Sequence, residues 1–455
     1  MTMQILRRNF LKGLGAITAA NTLPGLSLMN TYAQTAGNYK ALVCVFLYGG
    51  NDGNNMVVPV QSAEYNVYAT ARGTGTGGIA LPQASLVQLA QASGTRFGLH
   101  ANLAPLQQVW ANGDLALLFN TGPLVQPVTR AQYRSTRSTR PANLFSHDDQ
   151  QDQMQTAIPN NQANLGWGGR LADRVMVMNA ASSVPMNISV TGNDVFLKGQ
   201  TTPAYSVPSS GQFGLNGFNN SAQANARRNA MQQLFALDRT NMLVRAAGDV
   251  ISSAVNASTA LNTVVNNAAS GAAASFTGLN TGLSRQLLAV AKLIEGRAQL
   301  GLQRQIFFVS QGGFDNHQNQ IADQGNRFNE LGPGLRAFYN ATVALGVQDQ
   351  VTLFTLSDFG RTLRLNDGGS DHAWGNHHLI MGGAVQGGAT YGTFPNQALG
   401  GPDDTDADGR WIPTIAVDQY AATLAKWFGV ADADIPAVVP NIARFPTRDL
   451  GFMMV

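Results

Sequence analysis

The chain has 455 residues, of which only 12% are charged and 44% hydrophobic, with 49 glycines. That composition supplies a core and excludes a highly charged, disordered chain, while the length suits either two or three domains or one large α/β fold. The formal charge of +3 sits at the start: Arg7, Arg8 and Lys12 are the only charges in the first 33 residues, and without that segment 26 cations face 26 anions. A neutral balance gives no footing for nucleic acid or for a charged membrane surface.

Residues 1–33 carry Arg7-Arg8 ahead of Phe10-Leu11-Lys12, a weakly apolar stretch, and Thr31-Tyr32-Ala33. This reads as a cleavable export signal of the twin-arginine form, with Leu6 where Ser or Thr usually stands. It predicts delivery by the twin-arginine translocase, cleavage near Ala33, and a periplasmic or secreted product. Gly13–Leu28 is too short, and too interrupted by Pro24, to span a bilayer, and no other run approaches 18 apolar residues, so no stable membrane anchor is expected. Cys44 is the single cysteine; it excludes an intrachain disulfide and a multi-cysteine metal cluster, and reads as a small buried hydrophobe.

Apolar runs bounded by Gly, Asn or Asp predict buried strands at Ala41–Tyr48, Leu115–Asn120, Pro185–Val190, Gln305–Ser310, Val351–Leu356 and His378–Met381. Amphipathic segments predict helices around Leu103–Asn112, Gly168–Met178, Ser284–Leu302, Gln320–Leu345 and Val417–Phe428. The alternation predicts an α/β fold: a doubly wound, mostly parallel sheet flanked by helices over residues 34–455. Residues 191–280, Gly/Ser/Asn-rich and then Ala/Asn-rich, read as a helical and loop insert. Gly382–Gly388 lacks the lysine and spacing of a phosphate-binding loop and reads as a turn. Asp403–Gly409 resembles a calcium loop in composition, but without its final glutamate it reads as a flexible acidic loop.

Ligands of open α/β sheets bind beyond the carboxyl ends of the strands. Three predicted strands end there in carboxylates: Gly49-Gly50-Asn51-Asp52-Gly53, Gly312-Gly313-Phe314-Asp315-Asn316-His317 and Ser357-Asp358-Phe359-Gly360-Arg361. Asp371-His372-Ala373-Trp374-Gly375-Asn376-His377-His378 follows. Of six histidines, His317, His372, His377 and His378 fall in these motifs, and His147 lies in Phe145-Ser146-His147-Asp148-Asp149. Taken singly, Asp52, Asp315 and Asp358 fit caps and turns. Taken together, Asp52, Asp315, His317, Asp358 and His372 predict a divalent metal site of one or two ions (Zn, Mn, Fe, or Ca and Mg). Ser146 opens a predicted helix, where backbone amides favour an anion; it is a candidate nucleophile and equally an N-cap, with Thr156 or a water as other nucleophiles. His147 or His378 would serve as acid/base, although His377 and His378 begin a strand-like run and one of them is expected in the core. Arg130, Arg134, Arg137 and Arg140 recur at helical spacing and read as a solvated face rather than an anion entrance.

These motifs, together with Gly409-Arg410-Trp411-Ile412-Pro413-Thr414 and Asp418-Gln419-Tyr420, resemble the twin-arginine-exported bacterial family called domain of unknown function 1501, from the signal to about residue 430. That family is similar to the alkaline phosphatase and sulfatase superfamily. The resemblance implies an alkaline phosphatase/sulfatase-like fold, with Asp52, Asp315, His317, Asp358 and His372 at metal positions and Ser146 at the place of the nucleophile. Phe359 stands where phosphatases carry a metal histidine and sulfatases often carry Asn, which leaves open one ion or two. The implied activity is an exported, metal-dependent hydrolase of a small phosphate or sulfate ester using a metal-activated Ser or Thr. The alternative is a secreted binding or assembly protein that keeps the fold without turnover.

Overall fold

The computed structural model describes residues 39–91, 94–160, 163–180, 182–214, 221–237 and 241–454. The predicted export signal over 1–33 lies outside the described residues. Among them, the strands in chain order are β1 Lys40–Leu47, β2 Val57–Pro59, β3 Val87–Leu89, β4 Phe97–Leu99, β5 Leu115–Gly122, β6 Asn187–Ser189, β7 Ala204–Ser206, β8 Arg304–Gln311, β9 Val351–Ser357, β10 Asn376–Met381, β11 Ala389–Tyr391 and β12 Ile415–Ala416.

Nine strands form one sheet in the order β11-β5-β10-β9-β1-β8-β6-β7, with β12 alongside β5, and β2-β4-β3 form a small separate sheet. All six strands expected from apolar runs are present in the large sheet. β1 lies at its centre, parallel to both β8 and β9, and all eight of its residues except Lys40 are buried. Such a strand has core on both faces, which is why it reads as a continuous apolar run rather than an alternation. Cys44 lies in it, fully buried. β10 is the exception to the parallel arrangement: it runs antiparallel to both β5 and β9. The architecture is therefore a mostly parallel sheet flanked by helices.

The helices differ from expectation mainly at their ends. Val417–Phe428 forms as expected and stops at Gly429, whose φ of +116° suits glycine. Gln320–Ala344 also forms, through Pro333. The segment from Ser284 ends early, at Glu295, where Gly296 closes the helix. The segment around Leu103 begins as a 3₁₀ turn, Ala101–Leu106, because Pro105 donates no backbone hydrogen bond, and becomes α-helical only over Gln107–Ala111. The 191–280 region contains helices Ala222–Leu237 and Met242–Val265, but β7 within it pairs with β6 and extends the main sheet. Lys40–Val455 clusters as one unit, so this insert is not a separate body. No helix among the described residues is long and apolar enough to cross a membrane.

The register fixes where the chemistry lies. Leu47 aligns with Gln311 of β8 and with Ser357 of β9, so the residues following these three strands emerge side by side at one sheet edge. Because β10 runs the other way, its first residue, Asn376, lies at that same edge; its amide donates to the Asn51 and Phe359 carbonyls at 2.9 Å each.

One buried group far down the chain makes a stability prediction. Asp418, in the first turn of Val417–Phe428, is fully buried with neither carboxylate oxygen hydrogen-bonded within the protein. Burial outweighs nearby Arg170 and Arg444 and raises its pKa from 3.8 to about 7. The folded state then holds a proton that the unfolded chain releases, so this group's contribution to stability falls as pH rises from 3.8 to about 7. Asp418→Asn removes that slope. Urea unfolding from pH 4 to 8 should show the variant gaining stability relative to wild type across this interval; parallel pH profiles would refute the assignment.

Candidate metal centre

The loop after β1 begins with Gly49 and Gly50, at φ of +109° and +75°. A Cβ on Gly49 would stand 2.5 Å from the Asp315 backbone nitrogen, and one on Gly50 would meet the Phe359 ring at 2.4 Å. Glycine is required here because three strand-end loops converge without room for side chains. The Gly49 N–H donates to both oxygens of Asp358, each at 3.2 Å.

Asp358 is fully buried. Its Oδ2 also meets His147 Nδ1 at 2.7 Å and accepts from Gln151 Nε2 at 2.8 Å. His147 and Gln151 lie four residues apart in the helix His147–Thr156, on one face, and both reach the same carboxylate. With Nδ1 taken, His147 presents Nε2, which is buried without a hydrogen-bond partner and lies 3.5 Å from Asp315 Oδ1.

Two further imidazoles are fixed in the same way. His372 Nδ1 meets the Phe145 carbonyl at 2.8 Å, leaving its Nε2 3.5 Å from Asp315 Oδ1. Phe145 adopts φ of +72°, a strained setting for a side chain with a Cβ. His317 Nδ1 meets Asp371 Oδ1 at 3.3 Å, and its Nε2 lies 3.1 Å from both Asp315 Oδ1 and His372 Nε2. Ligand atoms of His147, Asp315 and His372 all fall within 4.8 Å of one another. A tetrahedral ion with bonds of about 2.0–2.1 Å separates its ligand atoms by about 3.3–3.4 Å, and His147 Nε2 and His372 Nε2 each lie 3.5 Å from Asp315 Oδ1, close to that separation.

The charges agree with that geometry. Burial acts to raise the Asp315 pKa, but the Arg361 guanidinium bonded to it, with His147 and His317 nearby, brings it down to about 2. Asp315 is thus an anion at any ordinary pH. The bond to Asp358 raises the His147 pKa against the effect of burial, whereas burial lowers that of His372. Arg361 spends its remaining donors on the Gly49, Gly50 and Ser370 carbonyls.

The sequence-derived candidates are therefore divided. Asp315, His317 and His372 come together, and His147 joins them through its Nε2. Asp358 lies one layer behind, holding His147 rather than facing the ligand cluster. Asp52 lies apart: its carboxylate pairs with both terminal nitrogens of buried Arg72, accepts from Gln320 Nε2, and caps the Asn54 N–H at 3.1 Å. His378 is also apart, buried in β10 with its ring stacked on Tyr420 at 5.9 Å. His377 receives the Asn120 N–H on Nδ1 at 3.1 Å inside the core. Ser146 occupies the N-cap position but makes no capping bond; its hydroxyl donates instead to Asp149 Oδ2 at 2.7 Å.

The chain belongs to the family described as a protein of unknown function, DUF1501, which matches residues 39–405. No curated protein matches it in sequence. Among solved structures it is similar to Ps i-CgsB in complex with k-i-k-neocarrahexaose, at 8% identity over 89% of this chain and 77% of that chain, with a TM-score of 0.33. It is also similar to the PsFucS1 sulfatase from Pseudoalteromonas sp., at 9% identity over 89% of this chain and 70% of that chain, again with a TM-score of 0.33. Neither likeness bears on individual residues.

The placement of Asp52 yields a prediction. Arg72→Met would strand a buried carboxylate that loses its guanidinium partner, at a cost of about 3–5 kcal/mol. Urea unfolding should show that loss, while the ligand cluster around Asp315 keeps its composition. A variant as stable as wild type would mean the pair is not buried as described.

Proposed function

We propose that the protein is an exported hydrolase of phosphate or sulfate esters that works with a divalent ion held by His147 Nε2, Asp315 Oδ1 and His372 Nε2. The observation that carries this reading is the buried, unpartnered Nε2 of His147, aimed at Asp315 by a carboxylate on its other nitrogen. A carboxylate or carbonyl anchoring the other ring nitrogen is the usual outer layer of a metal-binding histidine. Imidazole donors favour Zn or Fe over Ca and Mg, and the carboxylate also suits Mn. A divalent ion there would polarise an ester oxygen and lower the pKa of an attacking hydroxyl.

The chain's own residues supply the rest. Ser146 lies between Phe145, whose carbonyl orients His372, and His147. Its hydroxyl proton already has an acceptor in Asp149, which is fixed by Asn143 Nδ2 at 2.9 Å, so Ser146 is the nucleophile in this reading. His317 is half exposed and oriented by Asp371; it donates the proton to the departing ester oxygen. Export rests on Arg7-Arg8 and the segment that follows them.

Mature protein prepared without chelator should contain about one equivalent of Zn, Mn or Fe by elemental analysis. His147→Ala and Asp315→Ala should lose it. Ser146→Ala and His317→Ala should keep it, yet lose at least about 100-fold of turnover on whichever aryl phosphate or sulfate the wild type cleaves. No metal in folded wild-type protein would defeat the reading. Metal without turnover on any ester would leave a secreted binding or assembly protein.

A further inference from the structure

The loop Asp403–Gly409, read from sequence as flexible and acidic, is bound tightly to itself and to Arg410 beside it. Asp404 is fully buried, and its two oxygens accept backbone N–H groups from Gly400, Asp406, Gly409 and Arg410 at 2.9–3.3 Å. The carboxylates left at the loop's outer side, Asp406 and Asp408, both hold Arg410 Nη1, at 2.6 and 2.8 Å. Arg130 Nη2 and Arg134 Nε anchor the loop from outside through the Asp406 and Thr405 carbonyls.

Arg410 is clamped in this way and spends its remaining contacts on the metal centre's frame. Its Nε donates to the backbone carbonyl of His372 at 3.0 Å, and its guanidinium carbon lies 5.4 Å from the Phe145 ring centroid. Phe145 is the residue whose carbonyl fixes the His372 ring, in a strained backbone setting that persists only where its surroundings impose it. Arg410 thus touches both ends of the Phe145–His372 contact, the backbone of one partner and the ring of the other.

We propose that Arg410, held by Asp406 and Asp408, is a positioning residue that sets the His372 imidazole for metal binding, so that the acidic loop governs metal affinity without contributing a ligand. The inference rests on the metal reading above. Outer-layer partners of metal ligands typically control about 10–100-fold in affinity. A guanidinium has the planar fork to bridge two carboxylates while presenting another N–H to a carbonyl; lysine does not.

The test uses the full chain and Zn²⁺, with affinity read by competition against a chromophoric chelator. Arg410→Gln should weaken Zn²⁺ binding about 10–100-fold while the apo protein's Tm stays within a few degrees of wild type. The double variant Asp406→Asn/Asp408→Asn, which keeps Arg410 but removes its clamp, should weaken binding in the same direction. The visible bands of the Co²⁺-loaded protein should change in both. Wild-type Zn²⁺ affinity in Arg410→Gln would overturn the inference while leaving the metal reading intact. So would loss of cooperative apo unfolding in both variants, since the loop would then be a folding element. A wild-type protein that binds no Zn²⁺ or Co²⁺ would instead defeat the metal reading itself.

Discussion

A carboxylate removed from water must find donors for its oxygens or it destabilises the fold. Asp358 meets that requirement with three groups from two segments: the Gly49 N–H after β1, and His147 and Gln151 from the helix His147–Thr156. Satisfying one buried anion therefore docks a helix onto the sheet edge and orients an imidazole in the same act. The geometry of the candidate site follows from this constraint. The tautomer that gives Nδ1–H to Asp358 is the one that leaves Nε2 with a lone pair facing Asp315.

Two kinds of carboxylate stand at that edge, distinguished by what surrounds them. Asp52 and Asp358 are buried, and their oxygens are taken up by donors from the protein. Asp315 is about half exposed and shares a single oxygen among Arg361 and three imidazoles. The buried pair holds the frame; only Asp315 has an oxygen toward which ring nitrogens gather. In a chain with 12% charged residues this separation is economical. Arg361 illustrates it, since one buried guanidinium ties the Gly49, Gly50 and Ser370 carbonyls together and keeps Asp315 ionised.

The large sheet was legible because its long strands are buried on both faces and announce themselves as apolar runs. The short strands β2–β4, β7, β11 and β12 were not, since segments of two or three residues show no period, whereas the equally short β6 lies within the longer apolar run Pro185–Val190. The clustering of Asp315, His317 and His372 was legible from histidines gathering beside strand-end carboxylates. The roles of Asp52 and Asp358 were not, because a strand-end aspartate looks the same in sequence whether its partner is Arg72, a histidine or an ion. For His147 the readable signal is Gln151, which stands one helical turn on, so both side chains share a face and can meet one buried acid. That acid lies 211 residues away, and no local pattern could reveal it.

Exposure also gives the site a direction. His147 and His372 are about a quarter exposed and are held from behind by Asp358 and the Phe145 carbonyl, whereas Asp315 and His317 are nearly half exposed. The more open side of the cluster is that of Asp315 and His317, and the groups that fix the rings stand on the opposite side. The residue with the freest imidazole is thus at the entrance, and those with the most tightly anchored imidazoles are at the back. That order suits a proton carrier in front of fixed ligands. On the proposed reading, this unequal exposure leaves the ion reachable from one side, as an open rather than a closed coordination site requires.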